Sequence, residues 1–204
     1  MLEQLIECAH EAYRRGLVSG TGGNVSLCDG EFVYITATGA PFRKISENSF
    51  VRVDRESGRV VELSGGAPSK ELRLHLAIYQ VRPDIKVILH LHPVECIAAV
   101  LMLQEDDLLP VYVPGHLKKL GRPPQVPFYP AGSEELARYV AYLYRYSDCV
   151  WLRNHGIVVG ARDADTALAK AEDMADSCRL HLQLRGQGAL PEELVQKILK
   201  KQEP

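Results

Sequence analysis

The spacing of apolar residues changes several times along the chain, and each change marks an element. Leu2, Leu5, Ile6, Ala9, Ala12 and Tyr13 form a helical stripe that Gly16 stops, predicting a helix over residues 2–15. Ser19 to Ser26 is a glycine-rich turn. Phe32 to Thr36 reads as a short strand, and Phe50 to Leu63 as a β-hairpin with Glu56-Ser57-Gly58 at its tip. Ser69 is placed to cap a helix running to Val81, which Pro83 ends. Ile85 to Leu91 is a strand, and Pro93 opens a helix through Leu103. Leu108 to Val113 is extended, and the five prolines between Pro114 and Pro130 predict an ordered loop. Ser133 caps a helix to Tyr146, and Cys149 to Val159 holds two strand halves around Asn154-His155-Gly156. A long helix over Ala164 to Arg185 and a last one over Glu192 to Lys201 complete the chain.

Strands and helices are therefore mixed, with hairpins as well as crossovers. This predicts α/β or α+β in layers, with helices packed on one central sheet, in one domain over residues 1–204. Hairpins in the first half argue against a strictly parallel, doubly wound sheet.

Composition narrows the function classes. At 204 residues, 46% apolar and 25% charged, the chain resembles an ordinary soluble globular protein. A net charge of −2 argues against a strongly basic nucleic-acid binder. The longest apolar run, Cys96 to Leu103, falls far short of the roughly 20 residues a spanning helix needs, so no membrane partner is expected. Glu3 and Glu7 interrupt the first apolar stretch, which does not read as a signal peptide. Cys8, Cys28, Cys96, Cys149 and Cys178 form no Cys-x-x-Cys pair and read as reduced thiols in a cytoplasmic protein.

The sharpest chemical feature is His90-Leu91-His92 at the end of a predicted strand. Residues i and i+2 of a strand share a face, so two imidazoles so placed can converge on one metal ion; the alternative is one packed and one exposed histidine. His155, beside Gly156, is either a hairpin-tip residue or a third ligand. Three neutral ligands and one open position are the pattern of a catalytic rather than a structural zinc site. Glu71 and His75, at i and i+4 of one helix, are either a surface pair or a carboxylate facing a metal and able to move a proton. Gly20-Thr21-Gly22-Gly23-Asn24-Val25-Ser26 and Thr36-Ala37-Thr38-Gly39 are turns that can nest a phosphate or simply bend the chain. His10 and His181 read as solvated or interface histidines. His116, Lys118, Lys119 and Arg122 read as a solvated basic loop, with an anionic substrate as the alternative.

In this order, Ser19–Ser26, Ile35-Thr36-Ala37-Thr38-Gly39, Pro68-Ser69-Lys70-Glu71 with His75, Arg82-Pro83-Asp84, Val87–Pro93 and Asn154–Gly160 resemble the class II aldolase/adducin family. The likeness runs from about residue 2 to residue 185 and is greatest to the L-fuculose-1-phosphate aldolases. It implies a layered α/β/α fold, with a central and mostly antiparallel sheet flanked by helices, and a homotetramer with four-fold symmetry and sites at subunit interfaces. It also implies one zinc ion per chain, with manganese or iron as substitutes, on His90, His92 and His155. Glu71 would be the proton-carrying carboxylate and a fourth ligand before substrate arrives. Asn24, Thr38, Gly39 and Ser69 would hold the phosphate of a small sugar phosphate. The implied reaction cleaves a ketose 1-phosphate, such as L-fuculose 1-phosphate, to dihydroxyacetone phosphate and an aldehyde through a zinc-stabilised enediolate. An epimerase, a dehydratase or a sugar-acid phosphate decarboxylase on the same metal site, and a non-enzymatic adducin-like assembly module, are the alternatives.

Three departures bear on substrate. Lys70 stands where the aldolases have a second hydroxyl residue; its charge can attract phosphate or a substrate carboxylate. Val113 stands where the aldolases place the tyrosine that protonates the leaving aldehyde; the adjacent Tyr112 is the candidate acid, with Tyr129 behind it. No tyrosine follows Pro191.

Overall fold

The computed structural model describes residues 1–200. The elements run α1 (Leu2–Arg14), β1 (Asn24–Cys28), β2 (Phe32–Thr36), β3 (Phe50–Asp54), β4 (Val60–Leu63), α2 (Leu72–Val81), β5 (Val87–Leu91) and α3 (Val94–Leu101). After these come α4 (Pro114–Leu120), β6 (Gln125–Val126), α5 (Glu134–Leu143), β7 (Cys149–Leu152), β8 (Gly156–Ala161), α6 (Ala164–Leu184) and α7 (Glu192–Lys200). The predicted end of the last helix, Lys201, lies outside the described residues.

The strands form one sheet in the order β4-β3-β2-β1-β5-β8-β7-β6, antiparallel throughout except for the β6–β7 pair. Strands β1, β5, β7 and β8 are buried along their whole length, because helices cover both faces. Odd-numbered residues of β5, Val87, Leu89 and Leu91, join the core built with Leu5, Ala99 and Met174 of α1, α3 and α6. Ile88 packs on the opposite face with Leu74, Ile78, Leu136 and Val140 of α2 and α5. His90 shares the parity of Ile88, so the strand's period delivers its imidazole to the α2 side.

Two expected loops are regular structure. The glycine-rich turn ends at Gly23, and Asn24 to Cys28 form β1, a central strand paired with β2 and β5. Its alternation of Val25 and Leu27 with Asn24 and Ser26 is that of a strand whose polar positions are buried by function rather than solvated. The proline-rich stretch contains α4 and β6. Pro114 occupies the first turn of α4, where its missing N–H costs nothing, and Leu117 and Leu120 bury the inner face. Helix α2 begins at Leu72, two residues later than a cap at Ser69 predicts; Ser69 Oγ accepts from the Glu71 N–H in the turn before it. Ser133 caps α5 as expected, accepting from Leu136 N. All five cysteines are free and buried, and no helix among the described residues is long and apolar enough to cross a membrane.

Candidate metal centre

The site forms where β5 ends, where β7 turns into β8, and where the chain enters α2. His90 is wholly buried, and its Nδ1–H donates to Ile157 O of β8 at 2.9 Å. That bond fixes the ring and points Nε2 at the space where His92 and His155 converge. His92 Nε2 lies 2.9 Å and His155 Nε2 3.2 Å from His90 Nε2. Glu71 Oε2 is 2.9 Å from His90 Nε2, and Oε1 is 3.6 Å from His155 Nε2. The four ligand atoms all lie within 4.8 Å of one another.

Backbone geometry sets these positions. The β7–β8 turn carries Asn154 at φ 59°, and Arg153 ties it down through Val100 O, Leu103 O and Gln125 Oε1. A side chain at Gly156 would put its Cβ 2.2 Å from Leu91 O and 2.8 Å from His92 Cδ2. At Gly23, with φ 74°, a Cβ would sit 2.6 Å from His90 O. The glycine-rich turn thus lets backbone pack against the strand that carries the ligands. Gly156→Ala is expected to cost about 3 kcal/mol or more and to reduce bound metal. Thermal unfolding and metal analysis check this; a variant that unfolds and binds metal like wild type contradicts the packing argument.

A divalent cation suits this donor set. Two nitrogens that share a tetrahedral zinc ion lie about 3.3 Å apart, close to the spacings observed. Glu71 Oε1 is a buried oxygen with no hydrogen-bond partner, a costly state that a cation relieves. His90, His92 and His155 would hold the ion, with Glu71 beside it.

The electrostatics agree. Burial alone would raise the Glu71 pKa, but the charge and hydrogen bond of His90, with His155 and Asn24, hold it well below the usual carboxylate range. Burial pushes His90 down, yet Glu71 outweighs it and the net shift is upward. Burial, with repulsion from His90, lowers His92 to about 3 and His155 to about 4, and burial lowers His75 to about 3.

These three histidines keep fewer protons folded than unfolded, so the stability they reflect is present above pH 6.5 and is lost as pH falls through 4 towards 3. His90 acts oppositely, losing its contribution as pH rises through its raised pKa. The three outweigh the one, so the metal-free protein is expected to lose on the order of several kcal/mol on acidification from pH 6.5 to pH 4. Denaturant melts at the two pH values check this, and equal midpoints contradict it.

The expected phosphate residues divide. Thr38, Gly39, Ser69 and Lys70 come together, because segments 36–38 and 67–69 are laced by bonds from Thr38 N to Ala67 O, Ser69 N to Thr36 O and Thr38 Oγ1 to Pro68 O. Asn24 instead joins the carboxylate. Its Nδ2 donates to Glu71 Oε2 at 2.9 Å, and its Oδ1 faces His75 Nε2 at 2.6 Å. Tyr112 is not gathered with the cluster: its hydroxyl pairs with His181 Nδ1 at 3.0 Å and accepts from Gly186 N at 3.0 Å. Tyr129 packs on Tyr139. His181 is buried rather than solvated, because it meets Tyr112 at the end of α6. His10 Nε2 binds Ile45 O.

The basic segment is a docked helix face rather than a solvated loop. His116 Nδ1 meets Ser177 Oγ at 2.9 Å, Lys119 pairs with Asp173, and Arg122 pairs with Glu192. Ser177 spends its hydrogen on Asp173 O at 2.7 Å, so this Ser-His-Asp group fastens α4 to α6 and holds no activated nucleophile. Sequence reasoning missed Ser26 and Tyr79, buried polar residues that extend the Asn24–His75 network. The available signal was that Glu71, His75 and Tyr79 fall four residues apart on one helix face.

Residues 3–182 match the family model described as Class II Aldolase and Adducin N-terminal domain. The L-fuculose phosphate aldolase of Methanocaldococcus jannaschii is 34% identical over 88% of this chain and 94% of its own length. The 3-oxo-tetronate 4-phosphate decarboxylase of Haemophilus influenzae is 29% identical over 91% of this chain and 88% of its own. A solved L-fuculose 1-phosphate aldolase superposes with a TM-score of 0.84 at 29% identity, covering 98% of this chain and 94% of that one.

Proposed function

The chain belongs to the class II aldolase and adducin family, and from that premise we propose that it is a zinc-dependent lyase that cleaves a ketose 1-phosphate to dihydroxyacetone phosphate and an aldehyde. The observation that carries this reading is the convergence of the His90, His92 and His155 imidazoles with the Glu71 carboxylate, one ligand atom from each lying within 4.8 Å of the others. An adducin-like assembly module has no use for buried donors so arranged, because burying them costs free energy that only a bound cation returns.

A divalent ion bound there supplies Lewis-acid polarisation of substrate oxygens. Glu71, held ionised by its neighbours, takes a proton from the hydroxymethyl carbon of dihydroxyacetone phosphate in the condensing direction. That carbon's electron pair then forms the bond to the aldehyde carbon, the C=O π pair moves to the aldehyde oxygen, and a proton from the aldehyde-side acid makes it a hydroxyl. In cleavage that hydroxyl gives its proton back to the same group, the carbon–carbon bond breaks, and Glu71, in its protonated form, delivers its proton to carbon. Thr38, Gly39 and Ser69, with Lys70, form the phosphate end and keep the reacting carbon in register. Tyr112 serves as the aldehyde-side acid only where a neighbouring copy brings it to the cluster. This accords with the proposed homotetramer, whose mass in solution is expected at four times the 22.7 kDa chain. The five buried free thiols suit a cytoplasmic location.

A second reading is favoured by Lys70 and by the decarboxylase relative: loss of carbon dioxide from a sugar-acid phosphate at the same centre. Incubation with L-fuculose 1-phosphate and with a 3-oxo-tetronate 4-phosphate separates the two. Dihydroxyacetone phosphate from the first supports the aldolase; carbon dioxide from the second alone supports the decarboxylase.

A further inference from the structure

We propose that His75 is a positioning residue that locks Asn24 and, through it, aims the Glu71 carboxylate at the three histidines. This rests on the reading of Glu71 as the proton carrier.

Five buried polar side chains alternate between α2 and β1 in one line. Glu71, His75 and Tyr79 recur every fourth residue, and Asn24 and Ser26 every second, so helix and strand periods mesh. The direction of each bond follows from the carboxylate end. An ionised carboxylate only accepts, so Asn24 presents Nδ2 to Glu71 and must turn Oδ1 to His75. An amide oxygen only accepts, so His75 Nε2 carries the hydrogen and Nδ1 is bare. Ser26 Oγ, 2.7 Å away, must then donate to Nδ1. With its one hydrogen so used, Ser26 accepts from Tyr79 Oη, also at 2.7 Å.

The sense of the line is set from its carboxylate end; at the far end Tyr79 Oη also faces Lys86 O at 3.3 Å, a longer contact than the one to Ser26. Ser26, His75 and Tyr79 are 0% exposed and Asn24 5%, so no water competes for these groups. A leucine would fill the place of His75 without a buried polar ring, and a polar ring there is tolerated because both nitrogens have partners. The line secures Glu71 Oε2 and leaves Oε1 without a hydrogen-bond partner. A carboxylate with one oxygen anchored and one unpaired has a defined reactive face.

The test combines nitrogen NMR of the imidazoles with His75→Gln, His75→Leu and Glu71→Gln. Glutamine keeps an N–H near the Nε2 position, whereas leucine removes it. Activity is read as deuterium uptake from heavy water into dihydroxyacetone phosphate, with metal per chain measured on each variant. In the wild type, the His75 signal, assigned by its loss in His75→Gln, is expected to be the neutral Nε2–H form. An Nδ1–H ring or an imidazolium overturns the proposal whatever the activity. His75→Leu is expected to keep its metal and lose exchange about 10–100-fold, with most of it restored by His75→Gln. Glutamine as impaired as leucine, or leucine with wild-type exchange, also overturns it. If Glu71→Gln exchanges at the wild-type rate, the reading of Glu71 fails as well. If Glu71→Gln is inactive while His75→Leu is not, the positioning role alone fails. Where His75→Leu does not fold, the wild-type tautomer and the glutamine variant decide.

Discussion

Glu71→Gln is expected to purify with its metal and to lose turnover by about 10²–10⁴-fold, the usual worth of a positioned proton-transfer group. The substitution keeps the side chain's shape and removes its charge and its basicity. His90, His92 and His155 are untouched, and three imidazoles suffice to hold a catalytic ion. Asn24 can still pair with the glutamine oxygen, so the fold around α2 persists. Neither atom of the new amide can take a proton from carbon. Metal analysis beside kcat separates the two roles: a variant that loses its metal makes Glu71 a ligand above all, and one with wild-type turnover removes it from the chemistry.

His92→Ala is expected to strip the protein of metal and bring turnover to background. His92 is the best of the three for this test. His90 is also a buried sheet residue bound to Ile157 O, so its loss would damage the fold. His155 sits in a turn that Arg153 organises. His92 follows β5 and points Nε2 at His90 from 2.9 Å. Its truncation leaves two imidazoles and a carboxylate, short of the three histidines the site presents. His116→Ala, outside the cluster, serves as the control and is expected to keep its metal. Full metal content in His92→Ala breaks the ligand assignment.

Much of this was legible in the residues. His-x-His at a strand end predicts convergence because strand period and metal geometry agree, and both imidazoles do face the α2 side. The hairpin of β3 and β4, the Ser133 cap and the long α6 follow from local signals alone. Strand β1 escaped notice because its polar positions, Asn24 and Ser26, are buried for the sake of the site, and a buried polar position looks like a solvated one in a sequence. Helix α4 escaped because proline reads as a breaker unless Pro114 is seen as the first residue of a turn. Resemblance gives Asn24 a part at the phosphate, as distinct from the bonds to Glu71 and His75 that its amide makes in the structure. That distinction depends on which atom faces which, and residue types do not carry it. The contact of Tyr112 with His181 within the chain is likewise not carried by residue types.

The most direct measurement is metal content per chain on protein purified without added metal and without a metal-binding tag, followed by zinc titration of any metal-free fraction. About one ion per chain, or tight uptake of one zinc per chain on titration, is expected of a three-histidine centre with an adjacent carboxylate. Protein that carries no metal and fails to take up zinc would contradict the centre and the lyase chemistry built on it.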